Sequence, residues 1–431
     1  MNAKNKKAPA VTEVQKGTMR DLFQTLPVDT TVEKTRYEVF TQSELTTNPL
    51  QIKVDPTRRW VDLSKTLFVY TVEFVANDNT TLLLAANKVA PINLIGHSLI
   101  KQFDVHFNKT LVPSGLADYH YTAYVDRLLK FSDAEKKEFL SVEGWYTDTP
   151  GKFDDTDPLA RPVVAPTDNA AANIQTAIAN ALVRATPNAG AAARHGLCCQ
   201  NRRVTFVISP VVSVFDQIKY LTPGTQIDFR VRWNLPALVL MSGDTTVTLP
   251  KFKIVPQSPA VWIYHVEANP QLHLQNEAAM LQNQQIAFYP VMEKRIVTHT
   301  IINGRTREKF SNVFTGFSPN YMVVGLVRGD AYTGSYARNP FNFGDMNQKQ
   351  IKSFGISRED YKDGNYLLLW NFNPDGALNA GYVYGRTLGN VSIEIEFSAP
   401  TANNTTLVFI GEFEQEVWCD GSKNWALKND Y

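Results

Sequence analysis

The residues best suited to chemistry are glutamates in two spaced groups, Glu394 and Glu396, then Glu412, Glu414 and Glu416. On an extended chain, residues two apart share one face. A carboxylate pair on such a face is the equipment of a glycosidase, one group acting as acid and the other as base or nucleophile. The competing reading is a ladder of like charges matched by Lys or Arg on the next strand, and the spacing favours it. The seven histidines are scattered. His97 and His106 lie nine apart on a strand-like segment and so point to opposite faces, while His265 and His273 straddle a helix start. Cys198 and Cys199 are adjacent, which strains a mutual bond, and three cysteines make no disulfide framework. With no positioned histidine or third thiol beside them, they read as incidental thiols in a loop.

Motif chemistry is missing. The chain has no Gly-x-Gly-x-x-Gly, no Gly-x-x-x-x-Gly-Lys, no Gly-x-Ser-x-Gly, no His-Glu-x-x-His and no Cys-x-x-Cys. Arg305, Arg307 and Lys309 beside Phe310 resemble a single-stranded nucleic-acid platform. The same residues suit a strand edge, where positive charge discourages aggregation, and that reading is preferred. Five Asn-x-Ser/Thr sequons, at Asn79, Asn108, Asn390, Asn403 and Asn404, follow no signal peptide and read as chance matches. No catalytic, cofactor-binding or metal-ligating residue is therefore nominated.

Composition agrees with that restraint. A formal charge of +1, with 44% hydrophobic and 20% charged residues, describes an ordinary globular chain without a strong field for phosphate or anionic membrane. A length of 431 residues suggests two domains. The longest apolar runs, such as Leu235 to Met241, are too short to span a bilayer. Synthesis in a reducing compartment is expected.

The positioning elements are mostly strands. Phe68, Tyr70, Val72 and Phe74 form one apolar face, and Leu99, Phe103, Val105 and Phe107 another. Ile227 to Leu235 alternates strictly, as do Val391, Ile393, Ile395 and Phe397 against their polar neighbours. Three helices are predicted. Asp118 to Phe131 carries Tyr121, Tyr124, Val125 and Leu128 on one stripe. Ser132 with Glu135 makes a capping box that opens a helix through Leu140. Asn269 caps a third at Pro270, carrying Leu274, Ala278 and Leu281. The expected organisation is a flexible arm over 1–20 with Lys4, Lys6, Lys7 and Lys16, a first domain over 21–248, and a second over 249–431. Thr147 to Asn201 is an insertion rich in Asp, Pro and Ala with one short helix near Ile174 to Leu182.

The centre of the chain is Pro319 to Gly344. Tyr321 to Val327 is apolar on both alternating faces, which predicts a strand buried on both sides. Arg328-Gly329-Asp330, Thr333-Gly334-Ser335 and Asn339-Pro340-Phe341-Asn342-Phe343-Gly344 follow as turn and loop. This block resembles the most recognisable stretch of the double jelly-roll major capsid proteins of Maverick/Polinton elements and adintovirus-like DNA viruses, which also reside as copies in invertebrate genomes. Further matches are Trp60 to Tyr70, Ile92 to Ile100, Asp104 to Lys109, Tyr119 to Leu129, Trp145 to Thr149, Ile356 to Tyr361 and Gly389 to Glu394. Between Asn347 and Phe354 the chain lacks a stretch that longer relatives carry, and its 147–201 insertion is its own.

The resemblance implies an all-β fold with a few short helices, two eight-stranded antiparallel jelly rolls in tandem. It implies a structural subunit of an icosahedral shell rather than an enzyme, forming pseudo-hexameric trimers that meet neighbouring capsomers, penton proteins and minor capsid proteins. Packaged DNA would be touched, if at all, by the N-terminal arm, and the protein would reside in the virion. The 147–201 insertion would rise outward as a tower, open to proteases near Arg161, Arg184 or Arg194. The alternatives are a domesticated capsid-like protein and a carbohydrate-binding or carbohydrate-cleaving β-sandwich.

Overall fold

The structure, a computed structural model, describes residues 31–42, 49–76, 78, 81–112, 117–159, 187–200, 202–243, 252–344, 361, 363–372 and 387–427. The expected arm over 1–20 and the short helix near 174–182 lie outside them. Ten strands come first: β1 (Val32–Thr41), β2 (Leu50–Val54), β3 (Trp60–Ala76), β4 (Val89–Pro91), β5 (Ile100–Phe107), β6 (Thr110–Leu111), β7 (Arg203–Ile208), β8 (Ile227–Trp233), β9 (Leu240–Ser242) and β10 (Phe252–Ala268). Then follow β11 (Ala287–Ile301), β12 (Arg307–Phe314), β13 (Tyr321–Arg328), β14 (Leu367–Asn371), β15 (Val391–Glu396), β16 (Thr405–Cys419) and β17 (Trp425–Leu427).

Strand order repeats. One sheet runs β1-β10-β3-β7 and another β11-β16-β13-β14, with β17 on the edge of β16. In each, the first strand of its half pairs with the last long strand, and that strand with the third. The facing sheets repeat the rule too: β2 pairs β8 in the order β2-β8-β5-β6, and β12 pairs β15. Pairing first with last and second with next-to-last, all antiparallel, is jelly-roll topology. The chain is a double jelly roll.

Alternation dictates the core of the first roll. Phe68, Tyr70, Val72 and Phe74 on β3 are fully buried, and they meet Phe103 and Val105 of β5 and Phe229 and Val231 of β8. Phe68 and Phe103 stand 5.7 Å apart edge to face, and Phe103 and Phe229 6.2 Å apart. Each such ring stabilises the sandwich by about 1.5–3 kcal/mol of apolar burial. In the second roll, β13 is buried on both faces, as its sequence predicts, with Met322, Val323, Val324, Leu326 and Val327 all in the core. Gly325 interrupts that run because the Phe343 ring occupies the space: a Cβ there would lie 2.6 Å from it.

Several expectations need correction. The boundary at 248/249 does not divide the sheets, because β10, beyond it in sequence, is hydrogen-bonded to β1 and β3 of the first roll. The predicted helix near 270 forms as Pro270–Leu281 with the Asn269 cap, but Leu274 and Leu281 face outward, 64% and 63% exposed, and Met280 is its buried residue. The capping box of Ser132 and Glu135 is present, yet its helix ends at Glu138 and continues as a 3-10 turn over Leu140–Glu143. The insertion is anchored rather than wholly projecting. Ala189–Cys198 is a helix packed on the first roll, where Arg194 is 1% exposed and donates to Asp148 at 2.5 Å and to the Pro91 carbonyl at 2.7 Å. Arg194 is thus no protease site, and residues 160–186 lie outside the described residues.

Candidate functional site

One place where the two rolls meet is the helix Tyr119–Lys130, whose sequence places aromatic rings on one side and Asp126, Arg127 and Lys130 on another. The aromatic side docks on the loop that follows β13. Tyr124 stacks on Phe341 at 4.0 Å between ring centres, and Tyr121 lies 6.1 Å from Tyr332. The Tyr124 hydroxyl donates to Asn365 at 3.1 Å, and the Tyr332 hydroxyl donates to Asp118 at 2.8 Å. These contacts explain why Pro319 to Gly344 is so distinctive: its strand is core, and its loop is the seam.

The charged side of the helix makes a buried ionic set. Lys294 of β11 donates to Asp126 at 2.7 Å, and Lys130 donates to the same oxygen at 2.8 Å. Glu412 of β16 lies 3.8 Å from the Lys294 ammonium and accepts a hydrogen bond from the Tyr321 hydroxyl at 2.7 Å. Burial pushes the Asp126 carboxyl up, but Lys294 and Lys130 outweigh it and hold the group well below the usual carboxylate range. On the adjoining turn of the helix, Arg127 grips Glu143 with two bonds of 2.9 and 3.0 Å and the Ser209 carbonyl with a third of 2.8 Å. Burial opposes ionisation of Glu143, while His97 and Arg127 favour it, and the balance brings its carboxyl down to about 2.

That set is held together by its own ion pairs. A glycosidase needs one carboxyl kept protonated near neutrality. Here both Asp126 and Glu143 are held ionised by cations that they in turn satisfy. Of the glutamates weighed in the sequence, the structure brings Glu412 into this cluster. Glu394 pairs with Arg307, and the register sets Arg307 opposite Glu396 and Lys309 opposite Glu394. The charge ladder is matched across the strands, which also accounts for the basic patch. Phe310 stacks on His299 at 5.0 Å rather than standing free.

The histidines do not converge. His97 sits in a short helix, Ile95–Ser98, instead of on the β5 strand, so alternation does not apply to it. Its Nδ1 lies 2.8 Å from the Tyr119 hydroxyl, and burial lowers its pKa against the pull of Glu143. His106 is opposite Asp228 across the sheet, His265 is 3.2 Å from Glu38, and His273 is 3.4 Å from Glu277. Among the described residues no three His, Cys, Asp or Glu side chains are grouped to hold a metal. Cys198 and Cys199 lie at the buried end of the Ala189–Cys198 helix, not in a loop, and burial pushes the Cys199 thiol up to about 12. Sequence reasoning missed Asp126, Lys294, Arg127 and Glu143. The available signal was the i,i+4 pair Asp126 and Lys130, because Lys294 is masked by its charged neighbours Glu293 and Arg295.

Two surface features remain. The outer face of β1 and β10 carries Tyr37, Val39 and Trp262, each more than a third exposed, with Tyr37 packed 4.9 Å from Tyr264. At the end of the molecule where β1, β3 and β11 begin, an apolar cleft of about 610 Å³ opens between the rolls. Among the described residues no helix is long and apolar enough to cross a membrane.

No protein-family model matches the chain. Its fold is similar to that of a chain from the Sputnik virophage structure, with a TM-score of 0.60 and 12% identity, covering 99% of this chain and 95% of that one. It is also similar to the Faustovirus major capsid protein, with a TM-score of 0.52 and 10% identity, covering 92% of each. An uncharacterised protein of Caenorhabditis elegans is 23% identical over 293 residues, which is 66% of this chain and 60% of that protein. The chain thus spans about 60% of the length of the curated relative it matches. Topology and comparison together define the class: a double jelly-roll protein. The fold is that of the viral major capsid proteins.

Proposed function

We propose that this chain is a major capsid protein, the structural subunit of an icosahedral viral shell, assembling as pseudo-hexameric trimers. The observation that carries the reading is the repeated strand order within one chain. Three such chains around a threefold axis present six similar edges, which is what a hexagonal lattice needs from its tile. The ionic and aromatic seam supports it, since a rigid relation between the rolls keeps those edges in register. The exposed aromatic face of β1 and β10 is a surface of the kind that subunit contacts bury. The charged clusters are paired internally, which supports a role without catalysis.

The partners on this reading are further copies of the chain, neighbouring capsomers, penton and minor capsid proteins, and the location is the virion. The 1–20 arm with its lysines is the part that would touch packaged DNA. Similarity to an animal protein favours one second reading, a capsid-like copy of a Maverick/Polinton-type element resident in an animal genome. Sedimentation equilibrium of the purified chain tests the core of the proposal. A stable trimer is expected, with interfaces of about 2,000 Å² or more per subunit pair. A chain that stays monomeric at micromolar concentration, with no hexagonal arrays by electron microscopy, overturns it.

A further inference from the structure

The apolar cleft between the rolls has no occupant among the described residues, and the chain itself supplies a candidate. Trp60, Ile218, Tyr220, Leu272, Ile286 and Phe288 line it, drawn from both rolls and from the helix that joins them. Ile218 is 85% exposed, and Ile286 and Phe288 are 42% and 45% exposed. Rings and branched chains left in water together at a concave surface are a docking surface, not ordinary surface scatter. Its volume of about 610 Å³ falls within the ~300–1,000 Å³ usual for ligand sites.

Two observations identify what covers it. Thr31 and Val32, the first residues that the structure describes, line the cleft themselves. Thirty residues precede Thr31, and within them Met19, Leu22, Phe23 and Leu26 recur at i, i+3, i+4 and i+7, with Pro27 and Val28 after them. That is the spacing of one apolar helical face, and it departs from the polar, lysine-bearing sequence before it. The five residues from Leu26 to Thr31 reach about 17 Å when extended, so the apolar set is tethered at the mouth of the cleft.

We propose that residues 19–28 of the same chain seat Met19, Leu22, Phe23 and Leu26 in this cleft, so that the N-terminal segment clips the two rolls together at this end. Such a clip complements the seam made by the Tyr119–Lys130 helix, and leaves Lys4, Lys6, Lys7 and Lys16 outside it as a basic extension. The inference rests on the fold and the cleft, and it stands whether or not the chain builds a shell.

Disulfide trapping in the full-length chain tests it. Phe23→Cys combined with Ile218→Cys places one thiol in the segment and one at the cleft, and the native Cys198, Cys199 and Cys419 are buried and do not compete. The expected result is a rapidly formed intrachain bond, seen as a faster band on a non-reducing gel. A loose tether would also react, so the deciding comparison adds Leu22→Asp or, separately, Phe288→Asp. Either should slow bond formation by about tenfold or more, the factor implied by losing one buried leucine-sized side chain. Phe288 is half-exposed, and native circular dichroism of each variant checks that it folds before its rate is compared. Equal rates with and without those substitutions overturn the proposal. So do bonds formed only between chains, which would assign the cleft to a second copy. Both results are independent of the trimer measurement, so a failed clip and a failed shell reading can be told apart.

Discussion

Lys294→Met removes the charge that joins the rolls and keeps most of the side chain's length. In the folded protein Lys294 is 4% exposed and donates to Asp126 at 2.7 Å, with Glu412 3.8 Å away. Breaking a buried ion pair from one side costs about 3–5 kcal/mol, because the partner stays buried without its counter-charge. Asp126 keeps Lys130 at 2.8 Å, but half of that side chain is in water, so the expected loss sits at the lower end, about 3 kcal/mol. Glu412 keeps only the Tyr321 hydroxyl among its short contacts, which stops the cost from falling much further. Asp126→Leu in the same background removes the stranded carboxylate, so the double variant should be less damaged than the two single losses added together. The expected coupling is about 2 kcal/mol. Urea unfolding followed by tryptophan fluorescence reads all three variants, at one fixed protein concentration because assembly adds its own stabilisation. A loss below about 1 kcal/mol for Lys294→Met, or single losses that add to within about 0.5 kcal/mol, would refute a buried seam between Asp126 and Lys294.

Acid stability follows from Glu143. Its folded pKa of about 2 lies below the ordinary 4.5, so its contribution is complete above pH 4.5 and drains away as the pH falls toward 2. That contribution is about 3 kcal/mol, and Glu143→Gln should flatten the acid limb of a stability-against-pH curve, whereas an unchanged limb contradicts the assignment. Val324→Asp puts an unpaired charge in a strand buried on both faces, with Val324 0% exposed, and should abolish soluble folded protein. Recovery of that variant with native circular dichroism and an unchanged unfolding midpoint would show that β13 is not at the core of its roll.

Local patterning was legible from the amino acids alone. Period-two runs at 68–74, 227–235 and 391–398 became β3, β8 and β15 because alternating burial is imposed within a few residues, and no distant partner is needed to read it. The capping residues Ser132 and Asn269 were legible for the same reason, since a cap acts on backbone donors two or three residues away. Resemblance over Pro319 to Gly344 carried the double jelly roll itself. Pairing was beyond reach. Nothing near Phe252 says that β10 closes the first roll by joining β1 and β3, because that choice is made by contacts some two hundred residues apart. The repeat of strand order is likewise invisible in the residues, since each roll needs only the same burial pattern and not the same side chains. Leu274 and Leu281 misled for a related reason: helical spacing identifies an apolar face but not whether anything covers it. The candidate site was the least legible part of all. Asp126 and Lys294 stand 168 residues apart and meet only once the two rolls close on one helix, and a charge reveals itself as buried only when the fold decides what surrounds it.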